Sequence, residues 1–121
     1  MGVAVGIILR AEHVAIFLTG LVLYLAVGGI WWILPLVLLI PDVSALGYLA
    51  GPRLGALGYN IGHNLVLALA VLGLGWWLDS AWVVLAGAVL LAHVGMDRSL
   101  GYGLKLPTDF RDTHLGRIGR G

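Results

Sequence analysis

The sequence predicts an all-α integral membrane protein, a four-helix bundle whose second helix is broken. Three observations carry that expectation. Of 121 residues, 60% are hydrophobic and only 11% charged, and mean hydropathy is +1.01. An ordinary soluble domain carries about 25% charged residues, so this chain lacks the polar surface for solution. The apolar stretches are also separated by turn signals at intervals that suit membrane crossings. Finally, the seven basic residues are confined to one side of the resulting topology. The chain contains no cysteine, which excludes disulfides, thiolate metal sites and a cysteine nucleophile.

The first span is read over Ala11–Val27, with Arg10, Glu12 and His13 at its start and Gly28-Gly29 at its end. Met1–Leu9 is apolar, with no basic lead and no clear cleavage site, so no removable signal peptide is expected. The second span, Ile30–Ile40, opens on Trp31 and Trp32, residues suited to a membrane interface. At 1.5 Å per residue it covers only about half of a 30 Å core. Pro41-Asp42 interrupts it and Val43–Ala50 continues as a bent or re-entrant piece. Such a break inside a membrane needs protein or water to satisfy its backbone.

Gly51-Pro52 makes a turn, and the third span runs from Arg53 to Leu78. Gly51, Gly55, Gly58 and Gly62 favour close helix packing there. Asp79-Ser80 is a tight loop before the fourth span, Ala81–Leu100, which Gly101 and Gly103 end. Two units follow: a transmembrane domain over 1–105 and a basic cytoplasmic tail over 106–121, with Pro107-Thr108-Asp109 as a helix start. The Gly28–Ile30 and Asp79–Ser80 loops lack Lys and Arg. Arg10, Arg53, Arg98, Lys105, Arg111, Arg117 and Arg120 all fall at the opposite ends. The positive-inside rule then places both termini in the cytoplasm, in a multi-pass protein of the inner membrane.

Counting inward from the outer loops brings Glu12, Asp42, His63, His93 and Asp97 to similar depths in the cytoplasmic half. His93 and Asp97 share a helix face at a spacing of four, as do Tyr59, Asn60 and His63 at three and four. Carboxylates and imidazoles together form a mixed N/O ligand set that suits zinc, iron or manganese. Tyr59, Asn60 and Arg98 are placed to orient such ligands. A metal with one open position activates water for hydrolysis, with Glu12 or His114 as general base.

Two other readings compete with this one. The same groups can relay protons or cations, which in four short helices calls for a homo-oligomer. Haem ligation by His63 and His93 is a third, and a purified haem protein would be coloured. A plainer alternative is a polar plug in which Asp97 pairs with Arg98 or Arg53 to fix helix register. The Gly101–Gly103 GYG lacks the preceding Thr-Val of a potassium filter. The expected partners are the lipid bilayer and its anionic headgroups, with no nucleic acid.

Three stretches, PDVSALGYLAGPRLGALGYNIGH, LAHVGMDRSLGYGLK and PTDFRDTHLGRIG, resemble domain of unknown function 4260, a family of small bacterial membrane proteins. That resemblance implies a fold and no reaction. A second resemblance rests on Pro41-Asp42, His63 and His93-x-x-x-Asp97. It is to membrane-bound metal-dependent hydrolases related to zinc-dependent phospholipase C. It implies Asp42, His63, His93 and Asp97 as metal ligands, zinc as the metal, and a phosphoester or lipid-derived substrate. The chain departs from that pattern at Ser44, where a second acid is expected, and in having His63 alone for a paired His motif. Glu12 or His13 takes the place of the N-terminal His of that pattern.

Overall fold

A computed structural model describes residues 2–119; Met1, Arg120 and Gly121, and with them the Arg120 part of the charge pattern, lie outside the described residues. The chain is all-α apart from a small hairpin in the tail. Helix α1 covers Val3–Ala26. A short 3-10 turn, Trp31–Ile33, leads into α2, Leu34–Val37, and then a longer 3-10 segment, Ile40–Ala50. Helices α3 (Pro52–Gly62), α4 (Leu65–Trp77) and α5 (Ala81–Leu100) follow. Strands β1 (Asp112–Thr113) and β2 (Gly116–Arg117) pair antiparallel.

Among the described residues three elements are long and apolar enough to cross a membrane: α1, the Trp31–Ala50 run and α5. The count is four if α3 and α4, bent by 41°, are one span. The broken second span is therefore observed, and the third is broken too, where the sequence reads as continuous. The reason is Asn64. Its side-chain amide donates to the carbonyls of Asn60 and Ile61, closing α3, while its Oδ1 accepts from Leu67 N and opens α4. One residue thus satisfies the loose backbone groups of both helix ends. Helix α1 also starts earlier than expected, because Val3–Leu9 continues the helix through Arg10 and Glu12.

Helix α5 is the axis. It packs on α1 along one side and on α4 along another, while α3 packs on the Ile40–Ala50 segment. Lipid offers no hydrophobic force between helices, so close backbone approach must hold them. A Cβ on Gly20 would sit 2.6 Å from Ala92 N, and one on Gly87 would sit 2.7 Å from Leu72 N. In a 3-10 segment residues three apart eclipse one another. Pro41, Ser44 and Gly47 form that row, and they lie against the Gly62, Gly58 and Gly55 side of α3. Gly51, at φ +117, makes the corner that starts α3.

The tail does not begin a helix at Pro107-Thr108-Asp109. Asp109 Oδ1 accepts from Arg111 N, and the Thr108 hydroxyl donates to Asp112 Oδ2, so both side chains bend the chain into a turn. The hairpin folds back on the bundle. Lys105 bridges to Thr113, and Asn60 grips the Lys105 backbone, donating to its carbonyl (2.9 Å) and accepting from its N–H (2.6 Å).

Candidate metal centre

Four side chains meet where α5, the α3 end and the 3-10 segment converge. His93 and Asp97 come from one face of α5. His63 is the residue at which α3 ends, and Asp42 follows the proline that breaks the second span. His63 and His93 are fully buried and Asp97 nearly so, whereas the Asp42 side chain is 48% exposed. The ligating atoms all lie within 4.8 Å of one another.

Hydrogen bonds fix what these atoms offer. His63 Nδ1 lies 2.8 Å from Tyr59 O, and His93 Nδ1 is bonded to Leu38 O. A carbonyl only accepts, so each Nδ1 carries the hydrogen and each Nε2 keeps a lone pair. The two Nε2 atoms are 2.9 Å apart. Asp42 Oδ1 stands 3.0 Å from His63 Nε2 and 3.1 Å from His93 Nε2. Asp97 Oδ2 stands 3.6 and 3.4 Å from the same two atoms. In the neutral imidazole form, four acceptors therefore face one point without a hydrogen among them. A tetrahedral ion with bonds of 2.0–2.1 Å has ligand-to-ligand edges of about 3.3 Å. The one N–N and four N–O separations bracket that value, so this Asp/His cluster can hold a metal ion.

Tyr59 orients two of the four. Its hydroxyl donates to Asp97 Oδ2 at 3.0 Å, and its ring stacks on His63 with centroids 3.7 Å apart. Arg98 acts through the backbone, donating to His63 O and to Tyr102 O, each at 2.8 Å. Among the described residues Asp97 makes no ion pair with Arg98 or Arg53, and its partners are His63 and His93. The Asn60 side chain is turned to Lys105 by both ends of its amide, and Asn60 meets the cluster only through its carbonyl, which accepts from His63 N. Glu12 is exposed on α1 and is not among the clustered groups. His114 is also outside the cluster; its Nδ1 accepts from Leu104 N.

The chain belongs to the DUF4260 family. The family described as domain of unknown function (DUF4260) matches residues 6–118, which takes in all four clustered side chains and the hairpin. No curated protein and no solved structure matches the chain, so the resemblance to metal-dependent hydrolases stands unsupported.

Sequence reasoning missed two residues that pack beside these side chains. Ser44, noted only as a missing acid, places its hydroxyl 3.2 Å from His63 Nδ1. Lys105 is 4% exposed, with its ammonium 3.8 Å above the Phe110 ring centroid and 4.7 Å from that of Tyr59. Its Nζ has no hydrogen-bond partner, and burial pushes its pKa below the ordinary lysine value. The Tyr59 and Phe110 rings that flank Lys105 are far apart in the sequence, and nothing local links them.

Proposed function

We propose that this is a multi-pass protein of the cytoplasmic membrane, with both termini inside, built around one divalent-metal site. Asp42, His63, His93 and Asp97 hold the ion, and zinc suits them best. The observation that carries this reading is the convergence of two imidazole lone pairs and two carboxylate oxygens with no donor between them. Two nitrogens disfavour magnesium and calcium, which take oxygen ligands.

The chemistry that follows is hydrolysis of a phosphoester or lipid-derived substrate. Four protein ligands leave a tetrahedral ion no open position, so hydrolysis requires the half-exposed Asp42 carboxylate to yield its place to water. A metal opened in that way would act as a Lewis acid and activate that water. Asp42 supplies the access, since its half-exposed carboxylate is the one side of the cluster not closed by helix packing. An apolar groove of about 430 Å³, lined by Val37, Ile40, Pro41, Leu85, Val89 and Leu90 among others, takes in the residue before Asp42 in the chain and suits an acyl chain. Tyr59 and the carbonyls of Tyr59 and Leu38 hold the ligands in orientation.

Elemental analysis of detergent-purified protein tests the site, and hydrolysis of phospholipid analogues with and without chelator tests the activity. Metal well below one equivalent would overturn the first. Metal bound with no chelator-sensitive turnover would leave a metal protein that is not a hydrolase. A second reading, a proton or cation relay in an oligomer, draws on the His63–His93 contact, which a shared proton would also satisfy. Proteoliposome proton flux in metal-free protein distinguishes it.

A further inference from the structure

Where α1 begins and α5 ends, the tail hairpin closes a second cavity of about 1090 Å³. Among the described residues Arg10, His13, Arg98, His114 and Arg117 line it, and no carboxylate side chain does. None of the four clustered metal ligands reaches it. Among these cations only Arg117 has an acidic partner in the described residues, Asp112. Arg98 is nine-tenths buried, and its guanidinium is met only by the neutral carbonyls of Tyr102 and His63. Arg10 reaches toward the α5 terminus, its Nη2 lying 3.7 Å from where a Cβ on Gly101 would be.

We propose that this cavity binds a phosphate group, with Arg10, Arg98 and His114 as the donors. A guanidinium presents a planar fork of N–H groups that matches phosphate oxygens. Arg10 supplies such a fork, and Arg98, whose Nη1 and Nη2 each already give an N–H to a carbonyl, adds its charge and its remaining N–H groups. His114 Nδ1 already accepts from Leu104 N, so in the neutral ring Nε2 carries the hydrogen and donates. Burial, and after it the charge of Arg98, holds the His114 pKa below its ordinary value, as expected in a positive pocket without a counter-charge. The carboxyl end of α5 disfavours an anion, but its carbonyls of Asp97 and Arg98 already accept from Tyr102 N and Gly101 N. The first turn of α1, Gly2, Val3 and Gly6, adds a wall with no side-chain cap and no acidic residue. The phosphate belongs either to a soluble phosphoester or to a lipid headgroup. The inference goes beyond the metal reading and does not depend on it.

The test uses the full chain. Detergent-purified protein is titrated with inorganic phosphate by calorimetry. In parallel, nanodiscs of phosphatidylcholine with and without phosphatidic acid are extracted, and retained lipid is read by native mass spectrometry. Arg10→Gln and His114→Gln should each weaken binding by about tenfold, the loss of one charge-assisted bond. Arg53→Gln, outside the cavity, should bind as wild type. Phosphate binding alone assigns a soluble ligand, and retention of phosphatidic acid alone assigns a headgroup. Unchanged melting temperature certifies that a variant folds, and Arg10→Lys, which keeps the charge, should recover most of the binding if Arg10→Gln does not fold. Binding of neither probe, or equal binding by wild type and the cavity variants, overturns the proposal.

Discussion

His63 and His93 face each other across 2.9 Å through nitrogens that have no hydrogen to share when the rings are neutral, because each ring has committed its Nδ1 hydrogen to a backbone carbonyl. Two lone pairs at that distance repel unless a cation or a proton lies between them. Two carboxylate oxygens deepen the demand.

Metal content follows directly. Wild type should carry about one equivalent of transition metal, and His93→Ala and Asp42→Ala should each lose most of it. A ligand lost costs more than the 10–100-fold typical of a group that only orients one. Added metal should raise the melting temperature of wild type and not that of Asp97→Asn, by mass action on the folded state. Equal metal in wild type and in both alanine variants would sink the site.

Tyr59→Phe separates orientation from ligation. It removes the bond to Asp97 Oδ2 and keeps the stack on His63. Metal affinity should fall about 10–100-fold with the melting temperature of the metal-free protein little changed. Competition with a chromogenic chelator measures it, and unchanged affinity would remove the hydroxyl from the site.

Lys105 predicts a pH dependence. Its folded pKa is depressed by burial, so protonation penalises the folded state. The penalty is absent above the ordinary lysine value near 10.4 and grows as pH falls toward the folded pKa. Stability should therefore rise with pH from the depressed folded pKa up to about 10.4 in wild type, with a flatter profile in Lys105→Met. Parallel melting profiles for the two would refute the assignment.

Helix packing gives a contrast between two glycines. A Cβ on Gly20 would lie 2.6 Å from Ala92 N, while one on Gly73 meets nothing within 4 Å. Gly20→Ala should cost about 1–3 kcal/mol through overpacking. Gly73→Ala should be neutral or stabilise by about 0.5–1 kcal/mol through helix propensity. Denaturant unfolding in micelles reads both, and a harmless Gly20→Ala would disprove the tight α1–α5 crossing.

Topology can be checked without purification. A single cysteine at Ser80 should react with an impermeant label from outside the cell, because the Asp79–Ser80 loop lacks Lys and Arg. Reaction only after the membrane is opened would invert the orientation.

The sequence by itself determined the solvent and the grouping. Hydropathy and the scarcity of charge marked candidate membrane spans, Pro41 marked the break in the second, and helical spacing put His93 beside Asp97. Equal depths brought His63 and Asp42 to the same level. Depth says nothing of rotation, so the same counting also placed Glu12 there, and the fold leaves it exposed on α1. Only the tertiary structure could decide which faces meet. That choice rests on groups invisible to periodicity: the Asn64 amide that splits the third span, the carbonyls of Tyr59 and Leu38 that select the imidazole tautomers, and the hairpin that buries Lys105. Each is a hydrogen bond or a contact set by backbone geometry, and a backbone atom carries no mark in the sequence of which partner it will find.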